Sequence, residues 1–226
     1  RDALSRIEQD GGPDARVIFL GDLVDRGPDS AGVVDLLSRG LAAGRNWVVL
    51  KGNHDRMFTR FLAPEPVMET ALLVGWDWFH PRLGGRDTLA SYGVEITDET
   101  RLFAAHKMAR DAVPEAHVAF LDACPTWHLE GGKLFVHAGI RPGVPLEHQE
   151  EADLVWLRQP FFDHTAPFPW LVVHGHTVVP EPAHFGNRVD LDTGAGYGKP
   201  LTTAVFEGQD CWVLTDQGRV PLLPFL

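Results

Sequence analysis

Four short apolar runs end in residues able to hold a cation or move a proton. VIFL at 17–20 runs into Gly21-Asp22, and VVL at 48–50 leads through Lys51 to Gly52-Asn53-His54-Asp55. LFV at 134–136 meets His137-Ala138-Gly139, and LVV at 171–173 meets His174-Gly175-His176. Carboxylate, amide oxygen and imidazole, without a thiolate, suit a divalent cation such as manganese, iron or zinc. A histidine or aspartate at one strand end is ordinarily a turn residue or a satisfied hydrogen-bonder. Four at matching places form a constellation, and the glycines beside them allow close backbone approach.

Such residues need elements to carry them. SAGVVDLLSRGLAA at 30–43 predicts a helix, with Asp29 or Ser30 as N-cap and Pro28 just ahead. Strand, helix and strand in that order predict a βαβ unit and a parallel sheet. In open α/β sheets ligands bind beyond the carboxyl ends of the strands, where loops gather residues distant in sequence. LEGGKLFV at 129–136 predicts a hairpin around its Gly-Gly turn. NRVDLDTG, LTTAVFEG and CWVLTDQG read as strands of an antiparallel meander. Residues 57–128 carry mostly helix signals and read as a covering segment within a single domain spanning 1–226. Ala3, Leu4 and Ile7 have helical spacing, so the chain opens inside a helix.

Composition narrows the classes of partner. The 226 residues, 44% hydrophobic, suffice for one domain with a large core. A formal net charge of −11 argues against nucleic acid as a partner, because such a groove is normally basic. Cys124 and Cys211 match no metal or redox spacing, which predicts a reduced, cytoplasmic chain. No run of 18 apolar residues occurs, so no membrane partner is expected, and no obligate protein partner is evident. GAGYG at 194–198 lacks the following helix that a phosphate loop needs.

Taken in order, GDLVDRG (21–27), GNHD (52–55), HAG (137–139) and GHT (175–177) resemble the calcineurin-like metallophosphoesterases of the Ser/Thr phosphoprotein phosphatase type, in their bacterial branch. TLASYG (88–93), FVHAGIRPGVPL (135–146), LVWLRQPF (154–161) and DTGAGYGKPLT (192–202) extend the likeness over nearly the whole chain. The resemblance implies an α/β fold of two mixed β-sheets packed as a sandwich with flanking helices. It also implies two divalent metal ions, manganese first with iron or zinc as alternatives, bridged by an aspartate and a hydroxide. Carried over position by position, Asp22 is the bridging carboxylate, and Asn53, His137 and His176 complete the second metal's shell. His174 is not the matched position and reads as a neighbour. His54 becomes the general acid for the leaving oxygen, braced by Asp25, while Arg26 and Arg158 clamp phosphate oxygens. Arg141 either reaches substrate or makes a loop salt bridge, and Tyr197 is a candidate lining residue of the cleft. Asp55 reads as N-cap of a helix beginning RMFTRF.

One departure stands out. The family's first motif, Gly-Asp-x-His-Gly, is absent, and the helix that should follow it occupies 1–10. The expectation is a sequence that starts just past the missing strand; the alternative is a real loss, leaving only Asp22 for the first metal. The function implied first is a Ser/Thr-type protein phosphatase in which a metal-bridging hydroxide attacks a phosphorylated protein or small phosphoester. Two alternatives stay open. One is symmetrical hydrolysis of dinucleoside tetraphosphates, which GNHD and HAGI suggest but Asp25 opposes, since dinucleotide-cleaving relatives tend to lack it. The other is a phosphate-binding module without catalysis.

Overall fold

The computed structural model describes residues 1–225. In chain order the elements are α1 (Asp2–Gly11), β1 (Val17–Phe19), α2 (Ser30–Ala42), β2 (Trp47–Val49), α3 (Asn53–Leu62), α4 (Gly85–Ser91), α5 (Leu102–Ala112), α6 (Glu115–Ala123), β3 (Trp127–Glu130), β4 (Lys133–Val136), α7 (Glu151–Trp156), β5 (Leu171–His174), β6 (Ala183–His184), β7 (Arg188–Asp190), β8 (Ala204–Glu207), β9 (Asp210–Thr215) and β10 (Gly218–Pro221). The chain folds as two compact units, one built from residues 1–20, 45–50 and 126 onward, the other from residues 21–44 and 51–125.

Among the described residues, the strands all belong to the first unit. β1 and β2 pair in parallel, as the strand–helix–strand pattern predicts. A mixed sheet runs β3-β4-β5-β7-β6, parallel at β4–β5 and β5–β7 and antiparallel at its two edges. β8, β9 and β10 form a separate antiparallel meander. The fold class is therefore mixed α/β, its strands distributed over three hydrogen-bonded groups. The hairpin closes at Gly131-Gly132, with φ of 57° and 73° and Glu130 opposite Lys133, so the predicted Gly-Gly turn is the left-handed pair that twisted strands favour. One expectation needs correcting. NRVDLDTG does not open the meander: β7 joins the mixed sheet beside β5, because its three buried residues pair with Val172, Val173 and His174.

β4 is buried along its whole length, and its Leu134–Val136 portion reads accordingly as an unbroken apolar run. Leu134 and Val136 face a cluster with Ile140, Leu154, Phe161 and Val172. Phe135, one residue out of phase, faces Leu50 and Val173, with Ile18, Leu20, Val48 and Phe206 against them. The β1–β2 pair and the meander thus share one face of the mixed sheet, and α7 covers the other. Lys133 Nζ donates to the Gly208 carbonyl at 2.6 Å and so ties the hairpin to the turn between β8 and β9.

The second unit contains α2 to α6. Asp29 caps α2, its carboxylate accepting from the Gly32 amide at 2.9 Å. α3 buries nine of its ten residues; Phe58 and Phe61 bring their ring centroids within 5.3 and 5.0 Å of Trp78. α3 packs on α5 and α6, and α2 on α4 and α6.

A pair of buried titratable groups sits where β5 meets β7. His174 is fully buried; its Nδ1–H donates to the Gly175 carbonyl, and Nε2 accepts from Arg188 at 3.5 Å. Burial, with the cationic Arg188 facing it, lowers its pKa to about 3. Burial raises the opposite residue, Asp190, to about 7, with the charge of Asp192 adding to it. The depressed His174 contributes stability fully above its ordinary 6.5 and loses it as pH falls toward 3. The raised Asp190 contributes fully below its ordinary 3.8 and loses it as pH rises through 7. The two slopes oppose one another across the overlap, so the contributions of this pair to the pH dependence of stability offset each other there. His174→Phe should then lose stability with rising pH and Asp190→Asn should gain it, each by up to about 1.4 kcal/mol per pH unit. Parallel pH profiles for both variants would refute this.

Candidate functional site

Two loops of the helical unit meet first. Gly21, at φ 92°, and Gly52 lie so close that a Cβ on Gly52 would sit 2.1 Å from Asp22 Oδ1. Only glycine permits that approach, which accounts for the glycine preceding both Asp22 and Asn53. Asp55 fastens the loops together. Its Oδ2 accepts the amides of Asp22 and Gly52, and its Oδ1 accepts that of Leu23, all at 2.8 Å. Asp55 is therefore not an N-cap: α3 begins at Asn53, with Gly52 as N-cap and Asp55 third in the helix. The reason is that the amides needing an acceptor include two on the 21–27 loop, which a side chain in the first turn reaches and a cap does not.

Asp22 in turn accepts the His54 amide on Oδ1 at 3.0 Å, at the amino end of α3, where the helix dipole favours a carboxylate. Asn53, 1% exposed, opens the same helix. His54 Nδ1 lies 2.5 Å from Asp25 Oδ2, and both residues are buried. Burial pulls the imidazole's pKa down, but the charge of Asp22 and the hydrogen bond and charge of Asp25 outweigh both that and the opposing Arg26, so the net shift is upward. Arg26 Nε donates to the Arg82 carbonyl at 3.3 Å, and Gly84 presses so near that a Cβ there would sit 2.3 Å from the Arg26 amide.

In the strand-bearing unit, β4 and β5 are parallel, so their carboxyl ends share one edge. That places the rings of His137 and His176 5.2 Å apart, with the Gly175 amide donating to the His137 carbonyl. His137 Nδ1–H donates to the Leu20 carbonyl at 2.8 Å, which fixes the tautomer and turns Nε2 into the electron-pair donor, the arrangement metal-binding histidines use. His174 differs, since its Nε2 accepts from Arg188. Trp156 meets His176 edge-on at 5.7 Å. Arg158 Nε donates to Thr177 Oγ1 at 3.2 Å, so the threonine of GHT orients that guanidinium. Arg141 makes a bidentate pair with Asp153 at 2.8 and 2.6 Å, the loop salt bridge of the two roles open to it. Tyr197 is 64% exposed on a short turn.

Among the described residues the non-glycine positions with positive φ are Asp22 (56°), Asp25 (72°), Arg26 (60°) and His176 (67°). All four were singled out from sequence for chemistry, and strained backbone clusters where geometry is functionally constrained. The helical unit offers a carboxylate and an amide, and the strand-bearing unit two imidazoles; each is a donor type that suits a divalent first-row cation. Contacts of Asp25 with Trp78 and Thr88, and of Arg158 with Thr177, escaped the sequence reading. TLASYG and the Gly-Gly at 84–85 were the signals that could have led to the first two.

The profile of the calcineurin-like phosphoesterase family matches residues 1–199, and the chain belongs to that family. Among curated proteins it is similar to the asymmetrical bis(5'-nucleosyl)-tetraphosphatase PrpE of Bacillus thuringiensis (strain Al Hakam), 25% identical over 209 residues that cover 84% of this chain and 75% of the relative. The namesake of Bacillus anthracis (strain CDC 684 / NRRL 3495) matches to the same extent. Its fold is shared with the cold-active protein-tyrosine phosphatase of a psychrophile Shewanella species, at TM-score 0.60 and 13% identity, covering 98% of this chain and 75% of that one. No helix among the described residues is long and apolar enough to cross a membrane.

Proposed function

We propose that this protein is a metal-dependent phosphoester hydrolase in which His54 protonates the leaving oxygen, and that its substrates are dinucleoside polyphosphates. The buried Asp25–His54 pair carries the catalytic half of the reading: a carboxylate at 2.5 Å keeps Nδ1 protonated and leaves Nε2 to deliver a proton. The names of the curated relatives support the substrate half, and they reverse the order in which the sequence alone ranked protein phosphatase and tetraphosphatase. They also favour asymmetrical over symmetrical cleavage.

Asp22, Asn53, His137 and His176 would hold the divalent metal, which when bound supplies a nucleophilic water and neutralises phosphate charge. The chain's own groups do the rest. Arg26 and Arg158 present planar forks to phosphate oxygens, each oriented by an oxygen acceptor, the Arg82 carbonyl and the Thr177 hydroxyl. His54 transfers its proton as the phosphorus–oxygen bond breaks, and Asp25 stays on Nδ1 throughout.

A second reading, hydrolysis of phosphomonoesters including phosphoserine peptides, is favoured by that same brace. An alkoxide leaves poorly and needs the donated proton, whereas a nucleotide phosphate leaves well without one. Turnover of diadenosine tetraphosphate, a phosphoserine peptide and p-nitrophenyl phosphate with added manganese separates the two. We expect kcat/KM for diadenosine tetraphosphate to exceed that for the peptide by about 100-fold or more, with ATP and AMP as products. Two ADP would make the cleavage symmetrical; a preference for the peptide would establish the second reading.

A further inference from the structure

The covering segment reaches Asp25 through two side chains to which no role has been given. Thr88 Oγ1 donates to Asp25 Oδ1 at 2.6 Å and accepts the Asp25 amide at 2.8 Å, so one hydroxyl closes a ring on a single residue. Trp78 Nε1–H is shared between Oδ1 at 3.2 Å and Oδ2 at 3.0 Å. Oδ2 is also the atom on His54 Nδ1. Ser30 Oγ, 3.3 Å from the Thr88 hydroxyl, shares the Asp25 amide with it at 3.2 Å. Every member is buried: Trp78 is 5% exposed, Thr88 0%, Asp25 6%, His54 3% and Ser30 2%.

This is more than a satisfied aspartate. Asp25 sits at φ 72°, a backbone conformation that does not hold itself, and without the two donors its carboxylate would keep the His54 contact but lose the bonds that fix its plane. Trp78 and Thr88 are neutral and hand the Asp25 carboxylate hydrogen-bond donors only, so among the described residues its titratable hydrogen-bond partner is His54. The approach is built for: a Cβ on Gly85 would lie 2.6 Å from the Trp78 indole, and Gly84 makes the matching contact on Arg26.

We propose that Trp78 and Thr88 are positioning residues for proton donation, holding Asp25 Oδ2 on His54 Nδ1 so that Nε2 faces the leaving oxygen. This rests on His54 acting as the acid. Nothing is oxidised or reduced: one proton passes from Nε2 to the leaving oxygen as the phosphorus–oxygen bond breaks, and water restores it.

The test compares phenyl phosphate, whose leaving group needs the proton, with p-nitrophenyl phosphate, whose leaving group does not, using the full chain with manganese. Thr88→Val and Trp78→Phe should lower kcat on phenyl phosphate by about 10- to 100-fold, with KM within about twofold. On p-nitrophenyl phosphate the loss should be at most about threefold, and Thr88→Ser should recover phenyl phosphate turnover to within about threefold. In a His54→Ala background the same changes should add nothing, because they act through the imidazole. Equal losses on both substrates, losses confined to KM, or Val and Ser behaving alike at position 88 would overturn the proposal. If Trp78→Phe fails to fold, since the indole also packs on Phe58 and Phe61, the single-atom comparison at Thr88 decides. The underlying reading fails separately: His54→Ala with undiminished phenyl phosphate turnover removes the acid itself. A large His54→Ala effect beside an inert Thr88→Val leaves the acid standing and rejects only its positioning.

Discussion

His54→Ala should lower kcat on phenyl phosphate by about 10²- to 10⁴-fold while bound manganese per chain stays unchanged. Both halves follow from one residue's geometry. The imidazole is the part that meets Asp25, and alanine deletes it together with any proton it could deliver. The contact with Asp22, a proposed metal ligand, is made by the His54 backbone amide at 3.0 Å, which alanine retains. Metal content by elemental analysis beside single-turnover rates would check this. Loss of metal in the variant would mean that the side chain organises the ligands, and unchanged kcat would remove the acid from the mechanism.

Asp55→Ala should be the most destabilising single change in the helical unit, by about 3 to 5 kcal/mol. The residue is 0% exposed, and three amides, of Asp22, Leu23 and Gly52, all end on its carboxylate. Truncation leaves those donors without their charged acceptor in a space too tight to rearrange, since Gly21 and Gly52 are in backbone contact. For a chain of this size the melting temperature should fall by roughly 10 °C. Metal affinity should weaken with it, because the 21–27 loop loses its anchor to α3. A shift under about 1 kcal/mol would show that water or neighbouring groups replace the carboxylate.

Sequence made some of this legible and hid the rest for identifiable reasons. An apolar run that stops at Gly-Asp or at His needs no tertiary knowledge to be read as a buried strand meeting a polar edge, which is how Asp22, His54, His137 and His176 could be singled out. The Gly131-Gly132 turn was equally open, because a two-residue loop of glycines has few other uses. β7 was misplaced because RVD alternates identically whether its neighbour runs parallel or antiparallel; only the partner, Val172 to His174, decides. Asp55 was assigned to the wrong helix position because its acceptor role depends on amides some 30 residues away. Trp78 and Thr88 were hidden more deeply. Their link to Asp25 spans 53 and 63 residues, and in sequence a tryptophan among aromatics reads as core.

The left-handed φ values at Asp22, Asp25, Arg26 and His176 carry a further consequence. Each such torsion disfavours the native chain by about 1–3 kcal/mol relative to a residue at ease there. A laboratory lineage selected for heat resistance alone would therefore drift toward glycine or asparagine at these positions, and its survivors would be sturdy and inert. Under the roles proposed for these residues, durability and turnover pull against each other on the same four letters.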